Sequence, residues 1–332
     1  MNGKRWIALL IAVGLFVVSV GFQFFSSIAT ANFENVFNVP DTLFEEEVIQ
    51  EGTSQNKIAV LDVEGVIQDT GGGTSLLNQL AYNHQRFLKM LEEAGQDPSV
   101  DGIILRINTP GGGVVESAEV HDKVVEVQEE YNKPVYVSMG NTAASGGYYI
   151  SAPADKIVAN PATLTGSIGV IMESINFADL AEEWGIDFNT IKSGEYKDIM
   201  STSRDMTDDE EEILQSMVDE MYADFVQVIV DGRDMSEQRV RELGDGRVYT
   251  GSQAMDVGLV DALGSFDETV EMMEEDFELG DTNVIRYRTN PGFNELFMAS
   301  AQSLFGERAE INGLLEMIRQ ADGPRAMYLY SK

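Results

Sequence analysis

Apolar and polar positions follow two rhythms along this chain, and the rhythm switches repeatedly from one to the other. Residues 57–67, Lys-Ile-Ala-Val-Leu-Asp-Val-Glu-Gly-Val-Ile, form a β-rich run that Gly71-Gly72-Gly73 breaks. Leu77, Leu80, Phe87, Leu88 and Leu91 then recur at helical spacing within 76–94. Residues 102–107 return to strand character, and Val120, Val124 and Val127 mark one side of a helix over 116–131. A third strand is predicted at 134–139, with Gly140 to Ala144 as its exit and a helix starting near Ser145. Lys156–Ala159 reads as a short strand, 170–172 and 188–192 as two more, and 177–184 as a helix between them. A long helix covers 207–230, opened by Thr207 with Glu210 three residues on, the pattern of a capping box. Helices at 236–243 and 252–257 follow, and 260–265 leads into another near Phe266–Asp276. Strands alternating with helices predict an α/β layered domain with crossover connections. No internal repeat is visible.

Both ends depart from this alternation. Lys4 and Arg5 precede an uncharged run at 6–25, and no acidic residue occurs before Glu34. Such a run rises about 30 Å as a helix, enough to cross a hydrocarbon core. The basic flank places the N-terminus in the cytoplasm and the rest outside. The rival reading is a cleaved signal peptide ending at Ala29-Thr30-Ala31, although the apolar region of such a peptide is shorter, about 7–15 residues. The expected organisation is therefore an N-terminal transmembrane anchor at 1–31, a polar linker at 32–56, an α/β catalytic domain at 57–280, and a C-terminal helical extension and tail at 281–332. Within the last, 293–305 and 311–318 are partly amphipathic.

Composition narrows the chemistry. The 332 residues are 43% hydrophobic, enough for one large core or two modest ones. Lys plus Arg total 22 against 56 Asp plus Glu, a formal net charge of -34. That balance argues against nucleic acid, whose phosphates need a basic patch. It reads as a solvated acidic surface. The absence of cysteine excludes disulfides, thiolate zinc sites and cysteine catalysis. Nothing marks a metal or cofactor site. The two histidines, His84 and His121, fall on predicted helices rather than at strand ends, where α/β active sites form.

A serine hydroxyl is a poor nucleophile until a base takes its proton. Ser145 lies among small residues, Thr142-Ala143-Ala144-Ser145-Gly146-Gly147, at a strand-to-helix turn. It is either a nucleophile or a helix cap. The sequence is not the Gly-x-Ser-x-Gly elbow of the α/β-hydrolases. Gly111-Gly112-Gly113 follows a strand and precedes a helix, so its N–H groups can converge on an oxyanion, or it is a plain flexible turn. Neither a phosphate loop nor a dinucleotide fingerprint is present. With histidine unsuited, a lysine is the substitute base, and Lys192 and Lys197 are the candidates. A base lysine must be neutral, whereas the free amine titrates near about 10.4. Burial lowers that value, and hydroxyl neighbours such as Ser167 orient the amine without raising it again. Asp198 must then point away from Lys197.

Four segments together carry a resemblance. They are Asn108-Thr109-Pro110-Gly111-Gly112-Gly113, Ala143-Ala144-Ser145-Gly146-Gly147-Tyr148-Tyr149-Ile150-Ser151, Thr165-Gly166-Ser167-Ile168-Gly169 and Lys192-Ser193-Gly194-Glu195-Tyr196-Lys197. In this order and spacing the chain resembles the short, single-domain bacterial form of the SppA signal peptide peptidase family, over roughly 57–275. The resemblance implies a Clp/crotonase-like layered α/β fold of repeated β-β-α units behind an N-terminal transmembrane helix. It implies a serine endopeptidase held in the cell membrane by a single pass, with its catalytic domain on the extracytoplasmic side. Ser145 takes the nucleophile's position, Lys197 the general base's and Ser167 that of the serine bonded to the lysine. The Gly111–Gly113 stretch matches the oxyanion loop, with Gly112 the preferred donor and Gly113 beside it. The short form is similar to a dome-shaped octamer whose serine and lysine come from adjacent subunits. Remnant signal peptides, extended and apolar, are the implied substrates, with no cofactor. The terminal Met327-Tyr328-Leu329-Tyr330 is expected to occupy the substrate groove like a product. A crotonase-like acyl-CoA enzyme and a non-enzymatic oligomeric membrane scaffold are the competing readings.

Overall fold

Long apolar runs such as Ile58-Ala59-Val60-Leu61 leave a strand no polar face to show to water, so both faces must be covered. That requirement organises the molecule. A computed structural model describes residues 44–69, 82–289 and 326–330. Its strands are β1 (Phe44–Gln50), β2 (Lys57–Glu64), β3 (Val100–Thr109), β4 (Gly111–Gly113), β5 (Val135–Ala144), β6 (Lys156–Ala159), β7 (Leu164–Gly166), β8 (Val248–Thr250), β9 (Ala262–Leu263), β10 (Asn283–Thr289) and β11 (Met327–Leu329). Its helices are α1 (His84–Gln96), α2 (Val114–Glu130), α3 (Gly146–Ser151), α4 (Ala178–Glu183), α5 (Asp208–Arg233), α6 (Glu237–Leu243), α7 (Gly251–Asp256) and α8 (Phe266–Asp276).

The main sheet runs β1-β10-β2-β3-β5-β6-β9. Pairing from β10 through β9 is parallel. Beyond residue 140, β5 leaves β6 and takes β7 as a parallel neighbour, and β7 carries β8 antiparallel. Ile58, Val60, Ile104, Tyr136 and Val284 form one buried face under Val270 and Met273 of α8. The intervening Leu61, Ile103, Leu105 and Val137 point the other way and are equally buried. Each such side chain contributes about 1.5–3 kcal/mol through burial. The capping box read at Thr207 is present: Glu210 N–H donates to Thr207 Oγ1 at 3.3 Å, and Thr207 N–H to the Glu210 carboxylate at 3.0 Å.

The sheet departs from the expected boundaries at both ends. The linker assigned to 32–56 contains β1, an edge strand beside β10, and Glu46 of that strand pairs with Lys57. An acidic run hides such a strand, because an edge tolerates charge on its exposed side. The extension assigned to 281–332 begins with β10, which lies between β1 and β2 with Val284 and Ile285 fully buried. The strands expected at 170–172 and 188–192 do not form. Ile171 makes only an isolated bridge to Met327, and 188–192 has no regular structure. Phe188 and Ile191 are exposed instead of buried against a sheet. By contacts the chain divides into residues 1–45 with 289–307, and 46–288 with 308–332. The first unit holds, among described residues, only the outer ends of β1 and β10. The second holds everything else. No helix among the described residues is long and apolar enough to cross a membrane. The run at 6–25 and the amphipathic stretches at 293–305 and 311–318 lie outside the described residues, as does the first part of the helix expected over 76–94.

Candidate active site

β5 ends in Ala143-Ala144, and the backbone reverses at Ser145 with φ 55° and ψ -116°. A non-glycine residue in that region is strained by about 1–3 kcal/mol. The surroundings enforce it: Ser145 N–H donates to Gly166 O at 2.7 Å, and Ser145 O accepts from the N–H groups of Tyr148 and Tyr149 at 2.9 Å each. Ser145 thus stands at the N-cap position of α3, yet its hydroxyl makes no capping bond. The carbonyl does the capping and leaves Oγ uncommitted in a nearly closed site, since the residue is 1% exposed. Small neighbours make the approach possible. A Cβ on Gly146 would stand 2.6 Å from Ser117 Oγ and 3.1 Å from Gly112 N, so only glycine brings the amide of Gly112 this close to the serine turn.

β4 sorts the two expected oxyanion donors. Its N–H groups alternate in direction. Gly113 N–H donates to Ile67 O at 2.8 Å and Gly111 O accepts from Ile67 N–H at 2.9 Å, so these groups face one side. Gly113 is therefore not a free donor, and the expectation that it assists Gly112 is corrected. Gly112 N–H faces the other side, where β11 pairs antiparallel with Tyr328 opposite Gly112. Tyr330 N–H donates to Pro110 O at 2.8 Å, which fixes the alternation and directs Gly112 N–H to the Tyr328 carbonyl. That carbonyl oxygen and Gly146 N stand 2.1 and 2.7 Å from the point a Gly111 Cβ would occupy. One peptide carbonyl thus lies in the crook between β4 and the serine turn.

The chain's own tail forms this peptide. Met327 exchanges two hydrogen bonds with Ile171, at 3.0 and 3.1 Å, on the edge away from β4. Tyr328 is buried. Its ring stacks on Tyr149 of α3 at 4.9 Å and meets Phe225 of α5 at 4.7 Å, while its hydroxyl donates to Met221 O at 3.0 Å. Burial pushes the Tyr149 phenol up to about 12 and the Tyr328 phenol higher still, so both remain protonated. The pocket was not foreseen in the sequence. Phe225 and Met221 carry only a helical period there, and nothing local places them opposite Tyr149.

The parallel pairing of Ala144 with Gly166 brings Ser167 to the strand end beside Ser145. Ser167 also has positive φ, 50°, and its N–H donates to Arg247 O at 2.8 Å. The two candidate lysines behave differently. Lys192 donates to Glu195 O at 2.7 Å and to Asp198 Oδ1 at 2.6 Å. Both bonds commit its amine to acceptors within its own turn, so its geometry does not fit the base. Hydrogen bonds from Arg204 and then Lys192 hold the Asp198 carboxyl far below the usual carboxylate range. Lys197 lies in a 3-10 turn, Glu195–Asp198, and is exposed. Among the described residues no hydrogen bond joins it to Ser145 or Ser167. One copy of the chain therefore brings together Ser145, Gly112 and Ser167, but not Lys197. Around that turn Ile175, Phe177, Leu180, Trp184, Phe188 and Ile191 are exposed, with Trp184 at 73% and Ile191 at 101%. The histidines serve elsewhere: buried His84 is held between Glu119 at 2.5 Å and Tyr82 at 2.9 Å, and His121 pairs with Asp122.

Residues 128–280 match the model of peptidase family S49. A candidate signal peptide peptidase SppA of Enterococcus faecium is 37% identical over 344 residues, 99% of each chain. Protease 4 of Haemophilus influenzae is 34% identical over 66% of this chain and 35% of its own. Among solved structures, a point mutant of ClpP1 from Listeria monocytogenes aligns with a TM-score of 0.40 and 19% identity, over 64% of this chain and 94% of that one.

Proposed function

Because the chain belongs to peptidase family S49 and is a serine protease, we propose that it cleaves remnant signal peptides through a Ser145–Lys197 dyad completed between two copies of the chain. The observation that carries this reading is the peptide carbonyl held on Gly112 N–H beside a strained, uncapped Ser145. A substrate strand lies along β4 in the register of the tail, with its scissile carbonyl toward Gly112. Ser145 Oγ attacks the carbonyl carbon and neutral Lys197 takes the hydroxyl proton. The tetrahedral oxyanion is held by Gly112 N–H, with Gly146 N–H its neighbour. Lys197 then gives the proton to the leaving amine, and the acyl-enzyme is released by a water that the same amine activates. One oxyanion donor of this kind contributes about 2.7–4 kcal/mol to the transition state. Ser167, at the neighbouring strand end, orients the amine.

The exposure of Lys197, with no hydrogen bond to Ser145 among the described residues, supports the two-copy arrangement. So do the exposed apolar side chains of the segment leading into the lysine turn, since exposed apolar surface marks contact surfaces. An octameric ring, a Clp/crotonase-like architecture and a membrane tether through 6–25 with the catalytic domain outside complete the proposal. The tether keeps the enzyme beside peptides left in the bilayer.

Mixing tests the dyad. Ser145→Ala and Lys197→Ala chains are each expected to be inactive, and co-assembly of the two is expected to restore turnover. Some sites then receive an intact serine from one copy and an intact lysine from the other. A mixture as inactive as its components, with mixed assemblies verified by native mass spectrometry, would refute the shared site.

A further inference from the structure

The turn carrying Lys197 is flanked by exposed chain from residue 182 to 197, with little packing to fix it. Besides its own backbone bonds and Lys192, one side chain anchors it to the rest of the fold. Arg204 donates from Nε to Asp198 Oδ2 at 3.0 Å and from Nη2 to Asp198 Oδ1 at 2.7 Å, a two-pronged grip on the residue next to Lys197. Nη2 also donates to the Asp198 carbonyl at 3.1 Å. The other edge of the guanidinium holds Glu210, through Nη1 to Oε2 at 2.8 Å and Nη2 to Oε1 at 2.5 Å. Glu210 is buried in the first turn of α5 and locked there by the capping box with Thr207. The same helix walls the tyrosine pocket further along, at Met221 and Phe225.

We propose that Arg204 is a positioning residue for the reaction: it ties the Lys197 turn to the start of α5 and holds the Asp198 carboxylate away from the Lys197 amine. The proposal rests on the reading of Lys197 as the base. Both effects follow from geometry. A planar fork that bonds a carboxylate at two points fixes its direction as well as its position. A free carboxylate beside an amine favours the charged amine, which accepts no proton. With Arg204 and Lys192 both on Asp198, that carboxylate is already matched. The other charged groups at the turn are Glu195, Asp209 and Glu210, which surround Tyr196. Glu210 is itself matched by Arg204.

The test measures pH–rate profiles of the full-length assembled enzyme on a fluorogenic peptide. Arg204→Gln is expected to lower kcat about 100-fold, the cost of a small misplacement of a reacting group, with KM unchanged. Its rise in rate with pH is expected to move upward by about one unit. Adding Asp198→Asn to Arg204→Gln should return the profile to its original position while kcat stays low, which separates charge from positioning. Arg204→Lys should recover only part of kcat, because an ammonium cannot fork. Wild-type kcat and profile in Arg204→Gln would overturn the proposal. If that variant does not assemble, wild-type kcat in Arg204→Lys overturns it as well. Lys197→Ala is measured alongside. An active Lys197→Ala enzyme removes the base and this proposal together, whereas an inactive one beside an unimpaired Arg204→Gln removes this proposal alone.

Discussion

If substrate lies along β4 as proposed, the tail paired there competes with it, and Tyr328 sets how strongly. Its ring is 1% exposed, between Tyr149 and Phe225, with its hydroxyl on Met221 O. Truncating a buried aromatic ring to alanine costs about 3–5 kcal/mol. At about 1.4 kcal/mol per factor of ten, Tyr328→Ala lowers the docked-to-free ratio of the tail by more than about 100-fold. Tyr328→Phe loses only the hydroxyl bond, about 0.5–1.5 kcal/mol, and shifts the ratio a few-fold. An intramolecular competitor raises apparent KM and leaves kcat alone. Apparent KM for an extended fluorogenic peptide is therefore expected to fall in the order wild type, Tyr328→Phe, Tyr328→Ala, at constant kcat. A synthetic peptide with the sequence of 326–330 should inhibit Tyr328→Ala competitively. Identical KM in all three proteins, or no competition by the peptide, would refute the idea that tail and substrate share the β4 edge.

Two further outcomes follow from the site. Ser145→Gly removes the strain of a positive-φ side chain, so this inactive variant is expected to unfold at higher temperature than Ser145→Ala, by up to about 1–3 kcal/mol in stability; calorimetry giving equal transition temperatures would count against strain at the nucleophile. Hydrogen bonds from Arg204 and then from Thr207 lower the Glu210 carboxyl from its ordinary 4.5 to about 2. A depressed carboxylate stabilises the fold above its unfolded pKa, and that stabilisation is lost as pH falls through the folded value. The Lys197 turn should therefore keep its order at pH 6 and loosen between about pH 4.5 and pH 2. Amide hydrogen exchange of 195–205, corrected for intrinsic rates, should show lost protection in that window, and protection that is flat with pH would contradict the Arg204–Glu210 anchor.

What the sequence revealed was local. The Thr207–Glu210 box is a three-residue relation, and it stands where it was read. The helix at Phe266–Asp276 has both its period and its cap, Ser265, in one short stretch. The Ser145 turn announced itself by small residues at a strand end. What stayed hidden depends on distant partners. Nothing in 283–289 tells that it enters the sheet beside residues 57–60, and nothing in Gly111–Gly113 tells that Ile67 claims the Gly113 amide. Lys192 and Lys197 look alike in sequence. Only the placement of Asp198 and Arg204 separates the lysine that is paired from the one that, among the described residues, is not. The apolar run at 188–192 read as a strand because periodicity reports that a residue seeks cover, not which surface supplies it.

That last error bears on catalysis. The exposed side chains of Phe177, Trp184, Phe188 and Ile191 and the amine of Lys197 share one segment and the same deficiency. The apolar groups are in water, which costs free energy. Only a neutral amine can take a proton from a serine, and closure beneath apolar cover favours that form. On the proposed two-copy reading, a second copy docking on this segment would remedy both at once. Burial of the aromatic side chains would drive the association, and the association would dry the amine and carry it toward a buried serine on the neighbouring chain. Activity and assembly would then be one equilibrium. Dilution below the dissociation constant should abolish turnover without unfolding the protein. Replacing Trp184 with Glu should raise the concentration at which activity appears, while leaving the activity of the fully assembled enzyme intact. A specific activity independent of concentration through the dissociation range, followed by light scattering, would mean that a single chain supplies its own base.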